Sequence, residues 1–113
     1  MSWSIDYADG AANTYRFRAD GEVARFEYIP ITPAQSSTGM YSGGDPRSGT
    51  LDAAALAALW IHVRALAANT AVHVEDRGKG TGAFRVVEGS TTRDFIIARG
   101  PALAAFDSFV AAL

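Results

Sequence analysis

The chain has 113 residues, 49% of them apolar and 19% charged, with a formal net charge of −2 and no cysteine. That balance suits one domain spanning residues 1–113 that closes a core without disulfides or a structural metal. It excludes thiolate catalysis and cysteine-ligated zinc, and a near-neutral chain without basic runs argues against a nucleic-acid partner, since each neutralised phosphate needs a cation.

The first third alternates like half-buried strands. In Ser4–Ala8, Ile5 and Tyr7 point one way and Ser4 and Asp6 the other. In Thr14–Ala19, Tyr15 and Phe17 oppose Arg16 and Arg18, and in Val23–Ile31, Phe26 and Tyr28 oppose Arg25 and Glu27. Period-two alternation with charged outward positions predicts an antiparallel sheet wet on one face. Asp20-Gly21 between two such runs predicts a tight hairpin, and Pro30 and Pro33 end the third strand.

Thr32–Thr50 carries no periodicity and is expected as a loop. Leu51–Asn69 then predicts a helix, with Leu56, Leu59, Trp60, Val63 and Leu66 as its apolar stripe and Thr50 or Asp52 as its cap. Strands follow at Ala71–Glu75, Ala83–Glu88 and Arg93–Ala98, with His73 expected on the outward face. Gly100-Pro101 opens a terminal helix, because proline at the first helical position gives up an amide that has no intrahelical partner. Its stripe is Leu103, Phe106, Phe109, Val110 and Leu113.

The order βββα-βββα predicts an α+β two-layer sandwich: a mainly antiparallel sheet of about six strands with two helices on one face. Tyr15, Phe17, Phe26, Phe84 and Phe95 form the covered aromatic face. Tyr15-Arg16-Phe17 echoes Phe84-Arg85-Val86, too short an echo to establish an internal duplication. Outward Ile29, Ile31, Val87 and Ile96 do not suit a wholly wetted face, and a partner surface, including a second copy in a homodimer, is one explanation.

No segment reaches the roughly 18 apolar residues of a membrane helix, and MSWSIDYADG lacks the basic and apolar regions of a signal peptide. A soluble, cytoplasmic protein with no membrane contact is expected, of bacterial-like composition in that arginine outnumbers lysine and alanine is abundant.

Motifs for chemistry are sparse. His62 and His73 have no partner at metal-ligand spacing. Gly78-Lys79-Gly80-Thr81-Gly82 leads into a strand rather than the helix that a phosphate loop requires. Glu75 and Asp76 are adjacent and would point to opposite faces of a strand. No GxSxG elbow occurs. The expectation is no enzyme, no cofactor and no metal.

The segment that stands out is Pro33–Gly49, PAQSSTGMYSGGDPRSG. Irregular connections longer than about 12–15 residues are uncommon inside compact domains, and this one places Met40 and Tyr41 between glycines. Met40, Tyr41, Ser42, Asp45 and Arg47 are therefore the candidate interaction residues of a non-catalytic, regulatory or inhibitor-like module whose partner is another protein. The competing structural reading folds Met40 and Tyr41 back as a lid over a core edge. The alternative function is small-ligand binding in a pocket between sheet and helices, lined by Trp60, Phe84 and Phe95.

Overall fold

A computed structural model describes residues 2–113. Its elements are β1 (Trp3–Ala8), β2 (Thr14–Asp20), β3 (Val23–Ile29), β4 (Arg47–Leu51), α1 (Ala53–Ala68), β5 (His73–Val74), β6 (Gly82–Glu88), β7 (Thr91–Ile97) and α2 (Pro101–Ala111). All strand pairs are antiparallel, in the spatial order β4-β3-β2-β1-β6-β7-β5. The first four strands step outward from β1 as a meander. After α1, the β6–β7 hairpin closes against the other side of β1, which becomes the central strand.

The α+β two-layer architecture agrees with the periodicity of the sequence. The difference lies in the number of strands, seven rather than about six. The extra one is β4, inside the segment expected to be loop and helix start. Arg47-Ser48-Gly49-Thr50-Leu51 has one buried apolar side chain, Leu51, so it carries no alternation to read. It is a strand because it lies along β3, with Gly49 opposite Phe26 and Leu51 opposite Ala24. At Gly49 a Cβ would sit 3.1 Å from the Phe26 ring, so the absent side chain lets the edge strand close over the aromatic.

Local chemistry sets the ends of the elements. The β2–β3 hairpin turns through Gly21 at φ 64°, a left-handed position that glycine adopts without steric cost. Asp52 caps α1 by accepting from the Ala55 amide at 2.7 Å. Pro101 opens α2 as its sequence predicts.

Both helices cover one face of the sheet. Ile5, Tyr7, Phe17, Phe84, Val86 and Ile97 meet Leu59, Val63, Leu103, Phe106 and Val110 in one buried cluster. Phe106 stands edge-on to Tyr7 at 4.9 Å and to Phe84 at 5.0 Å, which anchors α2 over the central strands. Trp60 meets Trp3 edge-on at 5.2 Å and carries the Arg64 guanidinium over its ring at 4.7 Å.

The other face of the sheet is uncovered. Its register aligns Ile29, Thr14, Ala8, Ala83, Ile96 and Val74 in one row across six strands. Beside it runs Glu27, Arg16, Asp6, Arg85 and Asp94, with alternating charges. Arg85–Asp94 at 2.8 Å and Arg16–Asp6 at 3.6 Å are ion pairs of this ladder. Among the described residues no helix is long and apolar enough to cross a membrane.

Candidate functional site

The site is built outward from one buried polar residue, Asn13, only 3% exposed. The β1–β2 connection folds around Asp9, whose carboxylate accepts from the amides of Ala11 and Asn13, both at 2.9 Å, and from Asn13 Nδ2 at 3.2 Å. Ala12 takes a left-handed φ of 67°, uncommon outside glycine. The turn thereby drives Asn13 under the chain that leaves β3.

Asn13 Oδ1 accepts from the Ile31 amide at 3.0 Å. A main-chain N–H can only donate, so this contact fixes which end of the carboxamide is oxygen. Nδ2 therefore supplies both remaining bonds, one to Asp9 and one to the Tyr41 hydroxyl at 3.2 Å. No polar atom of the Asn13 side chain is left unpartnered.

The loop of residues 36–46 is held on this base. Gly43 donates its amide to the Ile31 carbonyl at 3.1 Å, and its own carbonyl accepts from the Tyr28 hydroxyl at 2.6 Å. A Cβ on Gly43 would stand 2.0 Å from Asn13 Oδ1, so only glycine permits this approach. Ser36 Oγ donates to the Pro33 carbonyl and accepts from the Tyr41 amide. Residues 33–35 form a single 3₁₀ turn.

The candidate interaction residues thus separate. Met40 stands 85% exposed at the loop tip. Tyr41 is partly exposed with its hydroxyl tied to Asn13, so it combines contact surface with an anchoring bond. Ser42 and Asp45 are exposed, the Ser42 hydroxyl accepting from the Gly44 amide at 3.2 Å. Arg47 lies apart from them. It begins β4, faces the helices, stacks over the Tyr28 ring at 5.1 Å and donates to the Leu113 main-chain oxygen at 2.7 Å.

Between the loop and the β1–β2 turn lies an open bowl of about 440 Å³. Arg77 lines it, held by bonds to the Thr81 hydroxyl at 3.0 Å and the Asp9 carbonyl at 3.1 Å. Sequence reasoning missed both Asn13 and Arg77. Each reads locally as an ordinary turn or solvated polar residue, and only the meeting of two distant loops gives it a role.

A larger concavity of about 670 Å³ lies on the uncovered sheet face, along Ala8, Ala83, Ile96 and Val74 with Arg85 and Asp94 at its side. The space between the layers is different in scale. The cleft lined by Trp60 and Phe95 holds about 10 Å³, and Phe84 lies outside it, packed between Tyr7, Phe95 and Phe106.

The histidines are engaged in packing. His73 faces the helices rather than outward, because β5 is only two residues long and its register places His73 opposite the buried Ile97. Its Nε2 lies 2.8 Å from the Leu66 carbonyl and its ring stacks on Phe95. His62 stacks on Phe109 at 4.8 Å. Among the described residues no three His, Asp or Glu side chains converge as a metal site.

A phenol–carboxylate pair joins sheet to helix: the buried Tyr7 donates to the half-buried Asp107 of α2. Burial pushes the Tyr7 phenol far above its ordinary range, reinforced by the hydrogen bond to Asp107. Burial also raises the Asp107 carboxyl, opposed by the bond from Tyr7 and assisted by the charge of Asp9. Asp107 lines none of the concavities described above, whereas Tyr7 contributes to the larger one on the uncovered sheet face.

Comparison with family models, with curated proteins and with solved structures returns no match.

Proposed function

We propose that this chain is a non-catalytic protein-binding module, regulatory or inhibitory in kind, that presents the loop of residues 36–46 to another protein. The observation that carries the reading is a loop clamped by buried Asn13 around a methionine that the fold leaves 85% exposed. Ordering a loop whose apolar tip stays exposed costs conformational entropy and buries none of that tip. The same preorganisation lowers the entropy lost on docking, and methionine supplies adaptable contact area. A cysteine-free chain needs no oxidising compartment, which suits work in the cytoplasm.

A second reading places the partner, another protein or a second copy, on the uncovered sheet face. The row from Ile29 to Val74, apolar but for Thr14 and largely lining a concavity of about 670 Å³, favours it. Small-ligand binding between the layers is supported less well, since the cleft there holds about 10 Å³ against the several hundred of ordinary ligand sites.

The test is capture from the native lysate with wild type, Met40→Asp and Ala83→Arg, with the mass of purified wild type measured in parallel. Met40→Asp leaves the Asn13 clamp intact. A partner lost with Met40→Asp and kept with Ala83→Arg supports the loop. The reverse pattern moves the interface to the sheet face, and a dimer broken by Ala83→Arg makes the partner a second copy.

A further inference from the structure

We propose that the bowl between the β1–β2 turn and the loop of residues 36–46 receives a carboxylate, supplied by an acidic side chain of the docking partner. The inference rests on the reading of that loop as a docking surface and names the chemistry of what docks.

The first observation is the polarity of the lining. Arg77 is its one cation, no Asp or Glu contributes to it, and its other polar side chains are Gln35, Ser36, Ser37, Thr38 and Tyr41. Asp9, next to Gly10 of the lining, is turned into its own hairpin, where its carboxylate accepts from three N–H groups of Ala11 and Asn13.

The second is that the unclaimed polar hydrogens are donors. The Tyr41 hydroxyl accepts from Asn13 Nδ2, so its own proton is free to be given away. Gln35 uses Oε1 for the Thr32 amide, which leaves Nε2 as its donating end. Arg77 is pinned through Nη1 and Nη2 to the oxygens of Thr81 and Asp9, with no carboxylate partner among the described residues. A concavity offering donors around a preorganised guanidinium is complementary to an oxyanion.

The third is charge placement. Five cations elsewhere on the fold are matched, in the pairs of Arg16 with Asp6, Arg18 with Glu27, Arg25 with Asp20, Arg64 with Glu88 and Arg85 with Asp94, while Arg47 on β4 and Arg93 on β7 are in no ion pair among the described residues. Arg77, Lys79 and Arg99 are in none of these. Arg99 packs on Gly80, and Gly80 lies against Gly10 in the wall of the bowl. Arg77, Lys79 and Arg99 thus bring unpaired positive charge to this end, on a segment that also carries Glu75 and Asp76. One cation in direct contact with the bowl matches a singly charged carboxylate better than a phosphate dianion.

The test is a titration of isotopically labelled full chain followed by NMR at the Arg77 Nε–H and the amides of Gly10, Ser37 and Thr38. The probes are N-acetyl-glutamate amide, its glutamine counterpart, succinate and inorganic phosphate. The expected result is saturable shifts at these positions with the glutamate probe and none with glutamine. Ser37→Glu, which places a carboxylate in the bowl at a position bearing no hydrogen bond, is expected to weaken the probe about 10-fold or more without loss of fold.

Absence of saturable shifts overturns the inference, as does equal binding by wild type and Ser37→Glu. Tighter phosphate overturns the choice of carboxylate, and tighter succinate replaces the partner's side chain with a free organic acid. Met40→Asp separates the two readings. If it abolishes partner capture but leaves the glutamate probe bound, both stand. If the probe binds and no partner depends on Met40, the loop reading falls and the anion site remains.

Discussion

Asn13 Nδ2 donates to the Tyr41 hydroxyl at 3.2 Å, joining the β1–β2 turn to a loop 28 residues later in the chain. The same side chain satisfies the Ile31 amide and one oxygen of Asp9. Asn13→Ala leaves these partners without their bonds in a site that water reaches poorly. We expect a loss of about 1–3 kcal/mol in urea unfolding, with faster amide exchange at Tyr41 and Gly43 than in the rest of the sheet. Unchanged exchange in the loop would show that Asn13 is not its anchor.

Gly43→Ala tests the same clamp from the other side. Its new methyl would lie 2.0 Å from Asn13 Oδ1 and 2.8 Å from Pro30 Cβ. Either the loop lifts or Asn13 moves and gives up hydrogen bonds to Asp9, Tyr41 and Ile31. Destabilisation of about 1–3 kcal/mol is expected, together with loss of whatever partner the Met40 variant loses. A variant as stable as wild type would mean that the loop relaxes freely around the added methyl.

Asp107 sets a pH dependence whose sign follows from its burial. Its carboxyl is raised in the fold, chiefly by desolvation, above the ordinary 3.8. The folded state then holds the proton more tightly than the unfolded one. The contribution to stability is full below the ordinary value and declines as pH rises through the raised one. Asp94, lowered by its bond from Arg85, acts in the opposite direction and loses its contribution as pH falls below the ordinary range. Asp107→Asn should remove the first effect and leave the second. Urea midpoints measured across acidic to neutral pH decide it, and parallel profiles for wild type and variant would refute the assignment.

Tyr7→Phe deletes the donor to Asp107 while keeping the ring stacked on Phe84. Asp107 is only half-buried, so water can replace the lost bond. A cost of about 0.5–1.5 kcal/mol is expected, with the decline in stability moved to higher pH because the bond that lowers the Asp107 carboxyl is gone. A shift to lower pH would contradict the hydrogen bond.

Phe106→Ala empties the point where α2 seats on the sheet. The ring is fully buried, against Tyr7 and Phe84. The expected cost is about 3–5 kcal/mol, a large part of the stability of a small domain. Thermal and urea unfolding measure it, and a cost of less than about 1 kcal/mol would mean that α2 contributes little to the core.

Alternation in Ser4–Ala8, Thr14–Ala19 and Ala83–Glu88 was enough to determine which residues face the helices, because a strand with one wet face must write its burial every second position. The apolar stripe of α1 and the Pro101 start of α2 are likewise local properties, while the sequence offered Thr50 or Asp52 as the α1 cap and the fold uses Asp52. The place of β4 was not, since a glycine-centred edge strand is specified by the Phe26 ring it covers and not by its own side chains. The inward turn of His73 depended on a two-residue pairing with β7. Asn13, Tyr41 and Arg77 could be assembled only by the tertiary structure, because hydrogen bonds and charge at a site depend on distance in space, and these three are far apart along the chain.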